Sequence, residues 1–392
     1  MRARFVSLLV FTLVLGLVPL PALAGPSDSS PATVSRQLTG LVEDPDVSGP
    51  GQRSSVPTRA PIPFGMVGFE LPVPRPDAPI LFRTSQDGKV WSDWEEAEDE
   101  PNEGPDPASS EARQASESSR FTAPIWVGKS LFLQVSADGL SPEDVTAHVI
   151  DSEGLSRSLP QRVLDNLRRA LSAASPPAAE AAASRPRIVS RRQWGADERL
   201  RSGPPDYASG VDYGIIHHTA SPNGYACSQA PAVLRGIYHF HTQTRGWSDI
   251  GYNLLVDRCG VVYEGRAGGV DRPVIGAHAA GFNTRSFGIA VIGELTGSVP
   301  TAAYEAAVKT IAWKFDIHDI DPDDKITVTS RGSSKYAEGS RAYIWTLSGH
   351  RDVGHTECPG DALYLRLPEM RKRVDQRMST GGGLIRLPLG GS

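Results

Sequence analysis

The chain has 392 residues, of which 39% are hydrophobic and 22% are charged, and its formal net charge is −5. These values are ordinary for a soluble globular protein, and the length allows two or three domains. The negative net charge, together with the lack of any basic run with interleaved aromatic residues, excludes a nucleic-acid-binding function.

The first 24 residues have the pattern of a secretory signal peptide. Arg2 and Arg4 precede an apolar stretch that is too short to span a bilayer, and Ala22 to Ala24 offer an A-x-A cleavage site. An uncleaved membrane anchor is the alternative interpretation. Because no later segment contains eighteen unbroken apolar residues, we predict an exported mature protein without a transmembrane segment.

The region that follows is predicted to contain a disordered segment and then a β-domain. Residues 25–60 are rich in proline, serine and glycine, which is typical of disorder. Residues 61–152 alternate short β-rich stretches with turn residues, and this pattern favours a small all-β sandwich-like domain. Within it, residues 95–119 form an acidic loop with no apolar content to bury. The sequence leaves open what the β-domain does and whether the acidic loop regulates access.

The second half of the chain has the pattern of an α/β domain. Residues 153–186 predict one helix and an alanine- and proline-rich linker, and residues 379–392 a flexible tail. Between them, strands alternate with amphipathic helices from residue 187 to 378. This order favours a central mixed β-sheet flanked by helices. The predicted strands are 211–218, 252–257, 261–264 and 287–293, and the predicted helices are 229–245, 301–318 and 363–378.

Residues that can bind a metal ion concentrate in this α/β domain. Eight of the nine histidines and all three cysteines lie between His217 and Cys358. His350 and Cys358 flank a loop in GHRDVGHTECPGD, and the pair His217–His218 at the end of YGIIHH is the best candidate for a third ligand. Imidazole and thiolate suit Zn²⁺, and three protein ligands with one open position are typical of a catalytic zinc site.

Four motifs carry a resemblance to a known family: IIHHTA, GWSDIGYNLLVD, GAHAAGFNTRSFGIAVIG and GHRDVGHTECPGD. In this order they resemble the peptidoglycan recognition protein family, which shares its fold with phage-type N-acetylmuramoyl-L-alanine amidases. The resemblance implies a secreted, cell-wall-associated, zinc-dependent amidase that cleaves the bond between the muramic acid lactyl group and L-alanine in peptidoglycan. The alternatives are a module that binds muramyl-peptide without cutting it and a wall protein in which zinc only staples the fold.

The resemblance also implies which residues bind the metal. It assigns His217, His350 and Cys358 as the three zinc ligands. A lone histidine at the end of a strand is otherwise more often a satisfied core residue. His218 would point to the opposite face of a regular strand. It is therefore assigned either a structural role or the role of a neighbour that contacts the ligands without binding the metal.

Two further residues are implied in catalysis. Tyr252 matches a tyrosine that catalytic members carry and purely binding members lack, and a strand tyrosine packed in the sheet is the alternative. Thr356 lies where related amidases have a lysine or threonine near the substrate carbonyl. More distant relatives use a glutamate on the strand where this chain has Ala290, so the resemblance provides no carboxylate base here.

The same resemblance predicts a substrate groove. His278 and Asn283 match groove residues that contact the muramyl-peptide, although His278 could instead be a polar turn residue. Trp247 is either groove wall or core, and Arg266 weakly resembles a position that touches the peptide stem. The preferred stem residue, diaminopimelate or lysine, and the oligomeric state cannot be read from the sequence.

Cys227 and Cys259 remain once the metal takes Cys358. In an exported protein such a pair most simply forms a disulfide. Two free thiols or a different metal site are the alternatives.

Overall fold

The computed structural model describes residues 32–43, 53–73, 79–100, 102–115, 120–137, 140–154 and 185–381. The predicted signal peptide, the predicted helix of the linker and the tail from residue 382 onwards lie outside these ranges. Within them, no helix is both long enough and apolar enough to cross a membrane.

The N-terminal domain is built from β-strands, as predicted. Its main sheet is antiparallel and has the order β1-β9-β4-β8-β5-β6, with β7 paired to β4, while β2 and β3 form a separate ladder. The strands are β1 (Ala32–Gln37), β2 (Leu41–Glu43), β3 (Arg53–Ser55), β4 (Thr58–Leu71), β5 (Ile80–Ser85), β6 (Glu95–Ala97), β7 (Arg120–Phe121), β8 (Ile125–Ala137) and β9 (Thr146–Asp151). Apolar side chains of the long central strands, such as Phe64, Phe69 and Leu133, form its core.

The prediction that residues 25–60 are disordered is wrong for the part that the structure describes. Residues 32–37 form the edge strand β1, which pairs in register with β9 from Ala32 opposite Asp151 to Gln37 opposite Thr146. Residues 41–43 pair with residues 53–55. Backbone N–H and C=O groups form the hydrogen bonds of these strand pairs, so an edge strand needs few apolar side chains. Amino-acid composition alone therefore does not predict such a strand.

The acidic loop also differs from its prediction. Residues 95–97 form β6, and residues 102–115 pack against the second domain, where Asn102, Glu103 and Asp106 are buried. Burial of such side chains requires partners for their polar atoms. In this protein most of those partners belong to the second domain, as described below.

The second domain has the predicted α/β fold with a mixed central sheet. Its strand order is β10-β13-β12-β14-β11-β17, in which only the β12–β13 pair is antiparallel. The elements are β10 (Ile188–Val189), α1 (Arg191–Trp194), β11 (Tyr213–His218), α2 (Ala230–His239), β12 (Leu254–Val256), β13 (Val262–Glu264), β14 (Ser286–Val291), α3 (Thr301–Asp316), β15 (Lys325–Thr329), β16 (Arg341–Trp345), β17 (Leu347–Gly349), α4 (Asp361–Tyr364) and α5 (Leu367–Gly381). A π-helical turn, Phe240–Thr244, continues α2.

Helices cover both faces of this sheet. Residues of α3 and α5 pack against one face in a cluster that includes Ile216, Ile289 and Val291. Helix α2 packs against the other face, near Leu255 and Ala290. Every residue of β11 and β14 is buried, which explains why their sequences are continuous apolar runs rather than alternating patterns.

Helix α2 also joins the two domains. The apolar cluster around it contains Met66 and Trp126 of the N-terminal domain. A Cβ atom at Gly236 of α2 would lie 2.6 Å from the Met66 sulfur, and one at Gly68 of β4 would overlap the Phe240 ring. Each domain therefore fills space that a glycine leaves open in the other, which fixes their relative position.

A disulfide between Cys227 and Cys259 links the turn before α2 to the turn between β12 and β13. We expect a Cys227→Ala/Cys259→Ala variant to lose roughly 3–4 kcal/mol of unfolding free energy, because the loop between the cysteines is no longer closed in the unfolded chain. Both cysteines are exposed, so their removal leaves no cavity. Urea unfolding of the variant and the oxidised parent measures this difference, and equal midpoints would contradict it.

Candidate metal centre and active site

The three predicted metal ligands meet at the ends of two neighbouring parallel strands. His217 follows Ile216 in β11, and Ile216 pairs with Gly349 at the end of β17, directly before His350. Parallel strands present their carboxyl ends at the same edge of the sheet, so these two histidines become neighbours. The loop after His350 then folds back, with the Arg351 amide donating to the Cys358 carbonyl at 3.0 Å, and brings Cys358 to the pair.

The geometry of this cluster fits a zinc ion. The candidate ligand atoms of His217, His350 and Cys358 all lie within 4.8 Å of one another, and all three residues are buried. His217 Nδ1 lies 3.6 Å from Cys358 Sγ, while its Nε2 lies 3.1 Å from His278 Nδ1. His350 Nε2 lies 3.3 Å from the carbonyl oxygen of Asn102. Each imidazole is thus held through one nitrogen and leaves Nδ1 for the metal.

The electrostatics agree with a cation site. Burial lowers the pKa of His350 to about 4, and burial with the neighbouring histidines lowers the pKa of His217 well below its usual value, so both are neutral, as ligands must be. Burial also raises the pKa of the Cys358 thiol well above its usual value. Without a cation Cys358 is therefore a neutral thiol, and two imidazoles with one cysteine sulfur are a donor set that suits Zn²⁺.

The two predicted catalytic residues lie beside different members of this cluster. Tyr252, just before β12, is buried with its ring centroid 5.5 Å from that of His217. Burial and then the charges of Glu103 and Glu100 raise the pKa of Tyr252 well above its usual value. Thr356 is half-buried, accepts the Cys358 amide at 3.1 Å, and lines a cleft of about 960 Å³ between the two domains.

His218 is turned away from the three ligands. Its Nε2 lies 3.3 Å from the Glu98 carboxylate of the N-terminal domain, and its Nδ1 accepts the Leu295 amide at 3.5 Å. Its own amide donates to Cys358 Sγ at 3.4 Å. The His218 side chain therefore belongs to the interface between the domains, while the His218 backbone amide donates to the Cys358 sulfur.

His278 lies behind His217, a predicted metal ligand, rather than in an open groove. Its side chain is fully buried between His217 Nε2, at 3.1 Å, and Ser286 Oγ, at 3.4 Å. The resemblance predicted contact with the muramyl-peptide. The observed contacts instead orient the His217 imidazole, because a hydrogen-bonded neighbour fixes the tautomer of a ligating histidine.

The other three predicted groove residues are buried under residues 102–115. Asn283 contacts Asp106, Arg266 contacts Glu111, and Trp247 packs beside Gly104. Asn283 is 0% exposed, Trp247 4% and Arg266 7%. A segment of the same chain covers these three residues. The sequence singled out this segment only as part of the acidic loop and did not predict its contacts, since it has no periodicity and no apolar face.

Comparisons with known proteins indicate the family of each domain. A family model described as N-acetylmuramoyl-L-alanine amidase matches residues 207–361, and a second, described as Rv3811 N-terminal galactose-binding domain-like, matches residues 23–157. The chain is 34% identical over 179 residues to peptidoglycan-recognition protein SC2 of Drosophila simulans, covering 45% of this chain and 82% of that relative.

Two other relatives extend the comparison. The N-acetylmuramoyl-L-alanine amidase of Homo sapiens is 34% identical over 181 residues, covering 46% of this chain and 27% of the human protein. Peptidoglycan-recognition protein LB of Drosophila melanogaster is 34% identical over 183 residues, covering 46% of this chain and 67% of that protein. The chain belongs to the family of peptidoglycan recognition proteins and N-acetylmuramoyl-L-alanine amidases.

Proposed function

We propose that this protein is an exported, zinc-dependent N-acetylmuramoyl-L-alanine amidase that hydrolyses the lactyl–L-alanine bond of peptidoglycan. The observation that carries the proposal is the buried cluster of His217, His350 and Cys358 beside Tyr252 in a chain of the amidase family. A zinc ion with a neighbouring hydrogen-bond donor is one of the arrangements that can hydrolyse an unactivated amide.

The residues of the cluster have separate tasks in this proposal. His217, His350 and Cys358 hold the ion, and His278 orients the His217 imidazole. A bound Zn²⁺ would polarise the scissile carbonyl and lower the pKa of a water molecule, which could then attack the carbonyl as hydroxide.

Tyr252 is the proposed donor to the reacting centre. Burial keeps its pKa well above neutrality, so the hydroxyl stays protonated and can donate a hydrogen bond to the oxygen that becomes negative in the transition state. Ala290, opposite His217 in the sheet, offers no carboxylate from β14. Tyr252 is therefore the main candidate for the group that assists the reaction, with Thr356 proposed to lie near the substrate carbonyl, and the group that transfers the proton is left unassigned.

Binding of muramyl-peptide without hydrolysis is the alternative function. A binding module needs the groove but neither the thiolate ligand nor the tyrosine. This chain has both Cys358 and Tyr252, which favours the hydrolase.

The signal-peptide pattern of residues 1–24 and the Cys227–Cys259 disulfide support export to an oxidising compartment. Peptidoglycan lies outside the cytoplasmic membrane, so we propose a secreted protein that works at the cell wall.

Mass spectrometry of purified peptidoglycan after prolonged digestion tests the proposed chemistry. We expect free stem peptides that begin at L-alanine, intact glycan strands, and loss of these products when a chelator is added. Sedimentation with the wall and no new ends would favour the binding module. Cuts at another bond would contradict the assigned reaction.

A further inference from the structure

Residues 102–115, which we call the strap, leave the N-terminal domain after β6 and return to it before β7. Between these points the strap crosses the second domain over the metal cluster and the predicted groove. The function proposed above does not use it.

The first end of the strap lies on the metal cluster. The Asn102 carbonyl accepts the Ala280 amide at 3.0 Å and lies 3.3 Å from His350 Nε2. The Asn102 side-chain oxygen accepts the Ser334 amide at 2.8 Å. Gly354 leaves the space that the Asn102 side chain fills, since a Cβ atom there would overlap it. This end is therefore closely fitted to the residues around the metal ligands.

Glu103 extends the same contact towards Tyr252. Its carbonyl accepts a hydrogen bond from the Arg245 guanidinium at 2.9 Å, and its carboxylate lies 3.8 Å from that guanidinium. The side chain is 5% exposed, and its charge contributes to the raised pKa of Tyr252. A buried carboxylate thus occupies the space next to the proposed catalytic hydroxyl.

The middle of the strap occupies the hydrogen-bonding groups of the groove. Asp106 accepts the Gly281 amide at 3.0 Å, the Asn283 amide at 3.1 Å and the Asn283 side-chain amide at 2.9 Å. The Gly104 carbonyl also accepts the Asn283 side chain, at 2.8 Å. Donors that could hold a peptide are thus already saturated by the protein itself.

The far end of the strap neutralises the groove's arginine. Both carboxylate oxygens of Glu111 accept from the Arg266 guanidinium, at 2.9 and 2.7 Å, and Glu111 also accepts the Ser248 amide at 2.9 Å. A bidentate pair of this kind has defined geometry as well as strength. Arg266 is buried in this arrangement and no longer available to an incoming anionic group.

Together these contacts close the site. With the strap in place, Tyr252, Trp247, Arg266 and Asn283 are each at most 7% exposed. We propose that the strap is an autoinhibitory segment, which occupies the muramyl-peptide groove and must leave it before substrate binds. This inference rests on the proposed function, because it takes the groove to be the place where muramyl-peptide binds.

The strap can leave without separating the domains. Among its described residues, the only buried hydrophobic side chain is that of Ala112. The contacts that anchor the strap are mainly hydrogen bonds and ion pairs, beside the packing of Gly104 on Trp247 and of Asn102 on Gly354. The apolar contacts that fix the domains lie elsewhere, where Met66, Trp126 and Phe121 pack around α2 and Phe240. Water and substrate can replace polar partners, whereas separating the apolar interface would expose a core.

The first test uses an Asp106→Asn/Glu111→Gln variant, which removes two anchoring charges but keeps the side-chain shapes. Glu143→Gln, an exposed carboxylate outside the strap, is the matched control. All chains carry Tyr252→Phe and bound zinc, so that a soluble muramyl-tripeptide survives during calorimetric titration. We expect the anchor variant to bind at least about tenfold more tightly, because a closed majority state reduces the apparent affinity by the fraction of open molecules.

The outcomes separate the two proposals. Equal or weaker binding by the anchor variant overturns the autoinhibitory strap and leaves the proposed function standing. If neither the anchor variant nor the control binds the muramyl-tripeptide, the groove is not a muramyl-peptide site, and both proposals fail.

Hydrogen exchange of the chain without strap substitutions gives a second measurement that does not depend on the folding of the anchor variant. Saturating muramyl-tripeptide is expected to increase amide exchange in residues 102–115 and to decrease it around Gly281 and Asn283. If the groove amides become protected while protection of the strap amides is unchanged, the strap and the muramyl-tripeptide occupy the protein at the same time. That result would overturn the proposal.

Discussion

Replacement of Cys358 by alanine is expected to abolish peptidoglycan cleavage, with a loss of at least about 1000-fold. In the described part of the chain the cluster offers three protein donors, and removal of the Cys358 sulfur leaves two neutral imidazoles, His217 and His350, to hold the ion. Metal catalysis contributes several kcal/mol, and each ~1.4 kcal/mol changes the rate about tenfold. Elemental analysis measures the bound zinc, and the release of stem peptides measures cleavage.

His355→Ala is the matched control for this experiment. His355 lies in the same loop, three residues before Cys358, but is exposed and is not part of the ligand cluster. We expect this variant to keep one zinc ion and full cleavage. Unchanged zinc content and activity in the Cys358→Ala variant would show that the ion is held elsewhere.

Tyr252→Phe is expected to lower kcat by about 100- to 1000-fold while zinc content and thermal stability stay close to those of the parent. Phenylalanine preserves the ring that packs against His217 and removes only the hydroxyl. Loss of one donor to a developing oxyanion costs about 3–4 kcal/mol in comparable sites. Steady-state kinetics on a soluble muramyl-peptide, with KM determined separately, isolates this effect.

Tyr263→Phe serves as the counterpart of that variant. Tyr263 lies in the adjacent strand β13, is equally buried, and donates its hydroxyl to Asp257 at 2.8 Å. Removal of the Tyr263 hydroxyl is expected to reduce the free energy of unfolding by roughly 1–2 kcal/mol, because the buried Asp257 carboxylate loses a hydrogen-bond donor. We expect kcat to stay unchanged. Similar kcat values for the two variants would contradict a catalytic role for the Tyr252 hydroxyl.

The elements that build the metal cluster were predictable because their patterns are local. The apolar run YGIIHH predicted a strand buried on both faces, and β11 is buried at every position. The amphipathic pattern of residues 301–318 predicted helix α3, which ends at Asp316. The hairpin of β15 and β16 was missed, although KITVT alternates, because its strands are short and largely exposed.

The strap was not predictable in the same way. Its partners, such as Arg266 and Asn283, are more than 150 residues away along the chain, and the strap itself shows no helical or strand periodicity. Acidic composition indicates solvent exposure unless cationic groups are known to lie opposite. The complementary arginines become adjacent only after both domains have folded, so only the tertiary structure reveals this contact.

Helix α2 has nine of its ten residues buried, since one side faces the sheet and the other faces the N-terminal strands. Without the N-terminal strands, the side of α2 that faces them would be exposed to water. The N-terminal strands leave the ribosome first, and the apolar patch that receives α2 stays uncovered until residue 240 has been made. Maturation of the two domains is therefore coupled, and in the course of evolution neither can be exchanged between proteins without reshaping the surface of the other.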